Sequence, residues 1–331
     1  FPAATMPVAL GVWGSVGGLA AAAGPLLGGL LVGLAGWPSI FLVNVPLGAV
    51  AFALALMWVP SSPRSGATIP VAPVALGALG VLAVIVAVHE AASAPVFLTV
   101  PVAVVGAALV VLAIRIQPHD PRRALVPARL LQSRGFVRAT LGATGASFVV
   151  GSALIPVMLE LQDDRGLSVA QATLAILPLG VVSAASAPFA GTSVARWGPR
   201  PVALVGVTAL AVSTCATAAS VQLGAPVWTT AAAMGLFGLA NSFVWSPLAT
   251  AAMTAIEPEF AGAASGAYNA TRQLGAVLGS ATVAAVIATA GTAASLWVLG
   301  ATAALSLVVV TGLPRRASAP SGAVSASPFR R

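Results

Sequence analysis

The stretch Gly11-Val-Trp-Gly14-Ser-Val-Gly-Gly18-Leu-Ala20-Ala-Ala-Ala-Gly24-Pro25-Leu-Leu-Gly28-Gly29-Leu-Leu-Val-Gly33 contains no charged residue. Small residues recur every four positions: Gly14 and Gly18, then Ala20, Gly24 and Gly28, then Gly29 and Gly33. On a helix that spacing lines up one smooth face against which another helix can pack closely. Pro25 removes a backbone hydrogen bond in mid-helix, so a bend is expected there. In water each glycine would cost such a helix about 1 kcal/mol relative to alanine. In lipid, close backbone packing offsets that loss, and Gly and Pro are both commoner in spanning helices. The stretch reads as a membrane span.

The composition agrees. Of 331 residues 59% are hydrophobic and only 7% charged, and the mean hydropathy is +1.02. Soluble domains carry about 25% charged residues, so a water-soluble fold of this size could not cover its surface. Aromatic content is 6% and alternating strand patterns are absent, which disfavours a membrane β-barrel. The fold class expected is an all-α polytopic membrane protein. All fifteen basic residues are arginine, and the net charge is +8. A nucleic-acid partner is not implied, because the arginines lie in short loops between apolar runs, where the positive-inside effect accounts for them. A single cysteine, Cys215, excludes a disulfide framework or a cysteine metal cluster.

Residues 1–63 carry no charge, too long for one span of about 20 residues. A break at Gly36-Trp37-Pro38-Ser39 gives helices near 7–34 and 39–59. After a Pro/Ser loop at 60–70, apolar runs near 71–89 and 96–115 flank a short loop from His89 to Pro95. The segment 115–138 is the most polar, with Arg115, Arg122, Arg123, Arg129, Arg134 and Arg138 against one acid, Asp120. Six further spans are expected near 137–159, 168–191, 201–222, 226–253, 262–289 and 294–313, followed by a disordered Pro/Ser/Ala tail, 314–331. Ten spans put both ends on one side. Alternating the loops places thirteen arginines on that side and Arg165 alone on the other, beside Glu160, Asp163 and Asp164. That asymmetry puts both ends of the chain in the cytoplasm. The chain starts Phe1-Pro2, its first charge is Arg64, and its apolar region is far too long for a signal peptide; we expect a fragment that lacks its beginning.

The opening stretch resembles the antiporter signature on the fifth helix of drug–proton exporters in the major facilitator superfamily: Gly, eight residues, Gly, three residues, Gly-Pro, two residues, Gly-Gly. Gly11, Gly24, Pro25, Gly28 and Gly29 match, and Ala20 stands where the second Gly belongs. The run Gly36-Trp-Pro38-Ser39-Ile-Phe-Leu-Val-Asn44-Val-Pro46-Leu-Gly48 is similar to the start of the same exporters' sixth helix, with Pro38 and Ser39 replacing an Arg and a Trp. Pro127 to Phe136 looks like their linker into the second six-helix half. The resemblance implies helices five to fourteen of a fourteen-helix drug:proton antiporter, the first four being absent. Residues 1–59 would finish the first half, 60–135 would hold a linker with an extra helix pair, and 136–313 would form the second half.

Gly191-Thr-Ser-Val-Ala195-Arg196-Trp-Gly198-Pro-Arg200 resembles the superfamily's cytoplasmic gating loop, Gly-x-x-x-Asp-Arg-x-Gly-Arg-Arg. Gly191, Arg196, Gly198 and Arg200 match, but Ala195 replaces the acid of the charge latch. Arg196 therefore acts either in gating or only as a topology anchor. Arg272 is the only charge deep inside an expected span. About ten residues past the break it lies roughly 15 Å deep, at a cost of at least about 2.5–3.5 kcal/mol unless it faces a cavity or a partner. With Asn269 and Gln273 it forms a polar cluster that resembles the exporters' thirteenth helix. Two roles fit: lining a transport path, or stapling to carbonyls of a neighbouring helix. Asn44, Gln171, Asn241 and Trp245 are further candidates for a polar and aromatic cavity.

No Asp or Glu falls at the middle of an expected span. A proton-coupled exporter needs a carboxylate in the membrane whose proton affinity burial can move, and the family's usual acid is on the first helix, so the coupling residue is expected upstream of Phe1. Enzyme readings find no support: there is no Gly-Lys-[Ser/Thr] loop, no His-Glu-x-x-His and no metal set, and His89 and His119 fall on opposite sides of the membrane. The resemblance implies alternating access in a bacterial cell membrane, driven by the proton gradient and without a cofactor, exporting an amphipathic, often cationic, small molecule. Two alternatives stay open: a facilitator or uniporter of the same fold, or a truncated remnant that does not transport.

Overall fold

The computed structural model describes residues 24, 27–59, 70–90, 94–118, 120, 124 and 126–314. Among them there is no strand, and eight helices are long and apolar enough to cross a membrane. Residues 27–35 form helix α1. Of the glycine signature, Gly11, Ala20 and Pro25 lie outside the described residues, as do the bend expected at Pro25 and the tail 315–331. Gly24, Gly28, Gly29 and Gly33 are described, and a Cβ on any of them would meet nothing within 4 Å.

Gly36 takes a positive φ of 74° and ends α1. Ser39 Oγ then donates to Gly36 O at 2.6 Å and Leu31 O at 2.9 Å, tying the turn back onto α1. Short α2 (Ser39–Leu42) leads into α3 (Asn44–Trp58), and neither buries a single residue. Helices α4 (Val71–His89) and α5 (Val96–Arg115) match the expected limits and pack on each other as an antiparallel pair. Their axes cross where a Cβ on Gly80 would lie 2.6 Å from Gly106 O, and one on Gly106 would lie 2.7 Å from Gly80 O. Only glycine allows that approach.

Gln117 exchanges two hydrogen bonds with the Val126 backbone, at 3.0 and 3.1 Å, and α6 (Ala128–Gln132) follows. Ser133 caps α7 (Arg134–Ser152), which continues through α8 (Leu154–Leu159) into one π-turn, Glu160–Asp164. Helices α9 (Val169–Trp197), α10 (Pro199–Gln222) and α11 (Val227–Thr254) come next, then a 3-10 turn, Pro258–Phe260, and α12 (Ala261–Thr311). Helix α12 is two rods joined at Gly291, whose φ of 85° and ψ of 175° are non-helical. A Cβ on Gly275 or Gly279 would strike Thr144 O or Phe148 O, so the first rod runs parallel to α7. Gly142 and Gly145 face Val310 and Ser306, so the second rod runs antiparallel to α7. Gly291 therefore reverses the chain with a single residue. These six spans share one core in which Leu130, Leu161, Leu210, Leu248 and Leu299 are fully buried.

Candidate functional site

One group of polar side chains at mid-depth is shared by α9, α11 and α12. The crossing of α9 and α11 is set by Gly238, where a Cβ would collide with Leu179 O. One turn beyond that contact, Ser242 Oγ donates to Ser183 O at 2.7 Å, and the two hydroxyl oxygens are 3.2 Å apart. Asn241 Nδ2 donates to Ser183 Oγ at 3.1 Å, and Trp245 Nε1 donates to Asn241 Oδ1 at 3.0 Å. Ser242 Oγ also lies 3.4 Å from Gly238 O on its own helix. Indole N–H can only donate, so Trp245 fixes which way the Asn241 amide faces. One amide proton of Asn241 goes to Ser183 Oγ and the Ser242 hydroxyl proton to Ser183 O, and the Ser183 hydroxyl faces Ser242 Oγ.

The network holds the Trp245 ring in place, and Arg272 stands over it with its Cζ 5.1 Å from the ring centroid. At that separation a guanidinium is attracted to the ring face by about 0.5–2 kcal/mol. Arg272 is half-buried, eleven positions into the first rod of α12, about 15 Å from its start. Among the described residues it makes no hydrogen bond to a carbonyl and no ion pair. A staple to backbone carbonyls is not seen among the described residues, and the contact with the neighbouring helix is through the Trp245 ring. Tyr268, one turn earlier, is 5% exposed, and its hydroxyl has no hydrogen-bond partner among the described residues.

The other sequence candidates are dispersed. Asn269 and Gln273 are exposed one turn apart on α12, and Asn269 bonds Ser265 O at 3.0 Å. Asn44 is exposed at the start of α3, where its amide bonds Ile40 O at 3.1 Å, and it takes no part in the cluster. Gln171 forms a capping box with Ser168 at the start of α9 and is no cavity residue. Ser183, Ser242 and Tyr268 were not among the sequence candidates. Isolated hydroxyls in an apolar run give no periodic signal, and only the crossing at Gly238 brings two of them together.

At the arginine-rich end, the expected gating loop proves to be mostly helix. Gly191 is buried in α9, which continues to Trp197, six residues past the expected end. Gly198, at φ 82°, is the whole connection, and Pro199 occupies the first position of α10. Packing explains the extension: Ala190, Gly191 and Val194 are all buried. Arg196 is exposed, with its guanidinium 5.7 Å from the Trp197 ring. Arg200 donates to Thr311 O at 2.8 Å, and Arg138 donates to Gly312 O, so two arginines cap the end of α12. Arg129 pairs with Glu257 at 3.0 Å beside a groove of about 410 Å³ lined by Gln132, Ser133, Ala255, Ile256 and Phe260. That groove lies at the helix ends, away from Arg272.

At the opposite end, Glu160 is 3% exposed inside the π-turn and pairs with Arg165, which also donates to Ala225 O at 2.6 Å. Asp164 accepts from Thr292 Oγ1 at 3.3 Å, just past the Gly291 reversal.

Comparison with known proteins agrees with this architecture. A sequence model of the Major Facilitator Superfamily matches residues 1–280 and residues 140–330. An uncharacterized MFS-type transporter of Mycobacterium tuberculosis is 33% identical over 287 residues, covering 86% of this chain and 49% of that protein. The multidrug resistance protein Stp of Mycobacterium tuberculosis is 31% identical over 281 residues, covering 83% of this chain and 51% of its own length. The methylenomycin A resistance protein of Streptomyces coelicolor is 27% identical over 282 residues, covering 83% of this chain and 58% of its own. The chain thus spans about half the length of the curated relatives it matches. With spans from end to end of its described residues and a family match over nearly its whole length, the chain belongs to the Major Facilitator Superfamily, a family of membrane transporters and not of enzymes.

Proposed function

We propose that this chain is the larger part of a proton-coupled exporter of amphipathic small molecules, a fourteen-helix drug antiporter of the bacterial cell membrane. One observation carries the reading: a charged side chain, Arg272, stands at mid-depth on a wired aromatic ring with no hydrogen bond or ion pair among the described residues. A cation so placed is expensive in lipid and has a functional site as its default explanation. The names of two relatives, each given for drug resistance, support export as the direction of transport.

In this reading Asn241, Trp245, Asn269, Arg272 and Gln273 line one wall of a midplane path, and Asn44 lies on the other half. Residues 136–313 form the second half, residues 60–135 the linker with its extra pair, and residues 1–59 the end of the first half. The Gly-Pro signature supplies the smooth surface along which the halves rock during alternating access. Both ends of the chain face the cytoplasm with the arginines, and Arg196 and Arg200 brace that face. The coupling carboxylate sits on a helix preceding Phe1. Inverted membrane vesicles carrying the full-length protein test this. Amphipathic dyes are expected to accumulate when a proton gradient is imposed and to stop when a protonophore collapses it. Transport that persists without the gradient would favour the facilitator.

A further inference from the structure

The Trp245 network has a direction, and its far end is sealed inside the bundle. From donor to acceptor, the indole N–H goes to Asn241 Oδ1 and the Asn241 amide to Ser183 Oγ. The Ser183 hydroxyl faces Ser242 Oγ, and the Ser242 hydroxyl returns to the backbone oxygen of Ser183 at 2.7 Å. The line that starts at the ring on α11 thus ends on the main chain of α9. Hydrogen bonds strung together in a medium of low dielectric polarise and stiffen one another.

Burial divides the members into two sets. Asn241, Trp245 and Arg272 are half-buried, whereas Ser183 is 0% exposed. A molecule in the path can reach the ring but not Ser183, so Ser183 can act on it only through Asn241. An amide has a donor end and an acceptor end, and an indole, which only donates, binds only the oxygen. The Ser183 hydroxyl accepts from the other end and so holds the oxygen toward the ring. Without it the amide loses its bond to α9, and the ring loses its anchor on that helix. Ser183 also stands midway between the two prolines inside α9, Pro178 and Pro188. Each removes a helix hydrogen bond and permits a bend, so a change in the course of α9 is carried to the ring through Asn241.

We propose that Ser183 is a positioning residue of the transport site: its hydroxyl holds Asn241 and thereby sets the tilt of the Trp245 ring, against which Arg272 and a planar aromatic substrate lie. The proposal rests on the transport reading above and adds to it a residue that no substrate touches.

The test uses the full-length protein, in energised vesicles with ethidium as the planar probe and in purified form with fluorotryptophan in place of tryptophan. Ser183→Ala is expected to raise the KM for ethidium about threefold, the worth of one hydrogen bond between membrane helices, with kcat little changed. The fluorine resonance of Trp245, assigned by its loss in Trp245→Phe, is expected to shift. Ser213→Ala is the control: it removes another fully buried hydroxyl, which bonds Leu210 O on its own helix at 3.0 Å, and should change neither reading. Trp245→Phe keeps a ring but has no N–H, so adding Ser183→Ala to it should raise KM no further. An unmoved resonance, an equal change in Ser213→Ala, or an undiminished effect of Ser183→Ala beside Trp245→Phe would overturn the proposal. Two further outcomes separate it from the exporter. Gradient-driven ethidium export with a KM that Ser183→Ala leaves untouched would remove the positioning role and keep the exporter. Ser183-dependent ethidium binding to the purified protein, read by fluorescence anisotropy, without gradient-driven export would keep the positioning role and remove the exporter.

Discussion

Helices α7–α12 and helices α1–α3 are both rich in apolar residues, yet they differ in what they touch. The bundle holds its core inside itself: Leu248 and Leu299 are fully buried, and glycines admit neighbouring backbones at Gly238 and Gly275. In α3, Phe52 is 67% and Trp58 74% exposed, and the whole helix buries nothing. Helices α4 and α5 fall between, pressed together at Gly80 and Gly106 but exposed elsewhere. In lipid an exposed leucine carries no penalty, because the tails are as apolar as the side chain. Hydrophobicity therefore puts a segment in the membrane, and fine sequence features decide what it packs against. The same small residue is a close contact in one region and faces open space in the other.

Substitutions in pairs can break that contrast. The largest effect is expected from Gly275→Leu, whose side chain would be driven into the Thr144 backbone of α7. Overpacking of this kind costs about 1–3 kcal/mol and often more where backbone is struck, so the purified protein should melt well below wild type or fail to reach the membrane. Gly28→Leu meets nothing within 4 Å in this chain, and the melting temperature of the bundle should not change. Equal loss from both would show that the first region packs as tightly as the second.

A smaller but still large difference is expected between two ion pairs. Glu160→Ala strands Arg165 in a site where the acid was 3% exposed. Breaking a buried pair costs about 3–5 kcal/mol. The Arg129–Glu257 pair is 59% and 55% exposed, so Arg129→Ala should cost at most about 1 kcal/mol. Thermal unfolding in detergent reads both. The smallest effect is expected from Ser183→Ala, which removes one link of the Trp245 network at about 0.6 kcal/mol, the usual worth of a hydrogen bond between membrane helices. Its stronger signature should be a change in the emission of Trp245, measured against Trp245→Phe to isolate that ring.

Much of this fold was legible because lipid leaves few options. Proline and charge punctuate the chain so cleanly that α4 and α5 begin and end where the composition changes. Arg272 stood out as a lone charge in an apolar run, and Trp245 and Asn241 as separate candidates for a polar and aromatic cavity, but their meeting was not legible. What escaped reading was set by contact over distance. Gly191-Thr-Ser looks like the end of a span, and only the burial of Gly191 and Val194 keeps α9 helical to Trp197. Gln171 looked like a cavity residue because its Ser168 partner only matters once the helix start is known. Glu160 looked like a boundary charge, and its burial depends on the π-turn that brings Arg165 back over it.

The two single-residue reversals, at Gly198 and Gly291, have nearly the same backbone angles, φ 82° and ψ 167° against φ 85° and ψ 175°. They sit at opposite ends of the bundle and leave no slack between the rods they join. In the folded bundle a one-residue turn gives the two rods of α12 no room to slide past each other, so any tilt of one is passed directly to the next, and the same holds for α9 with α10.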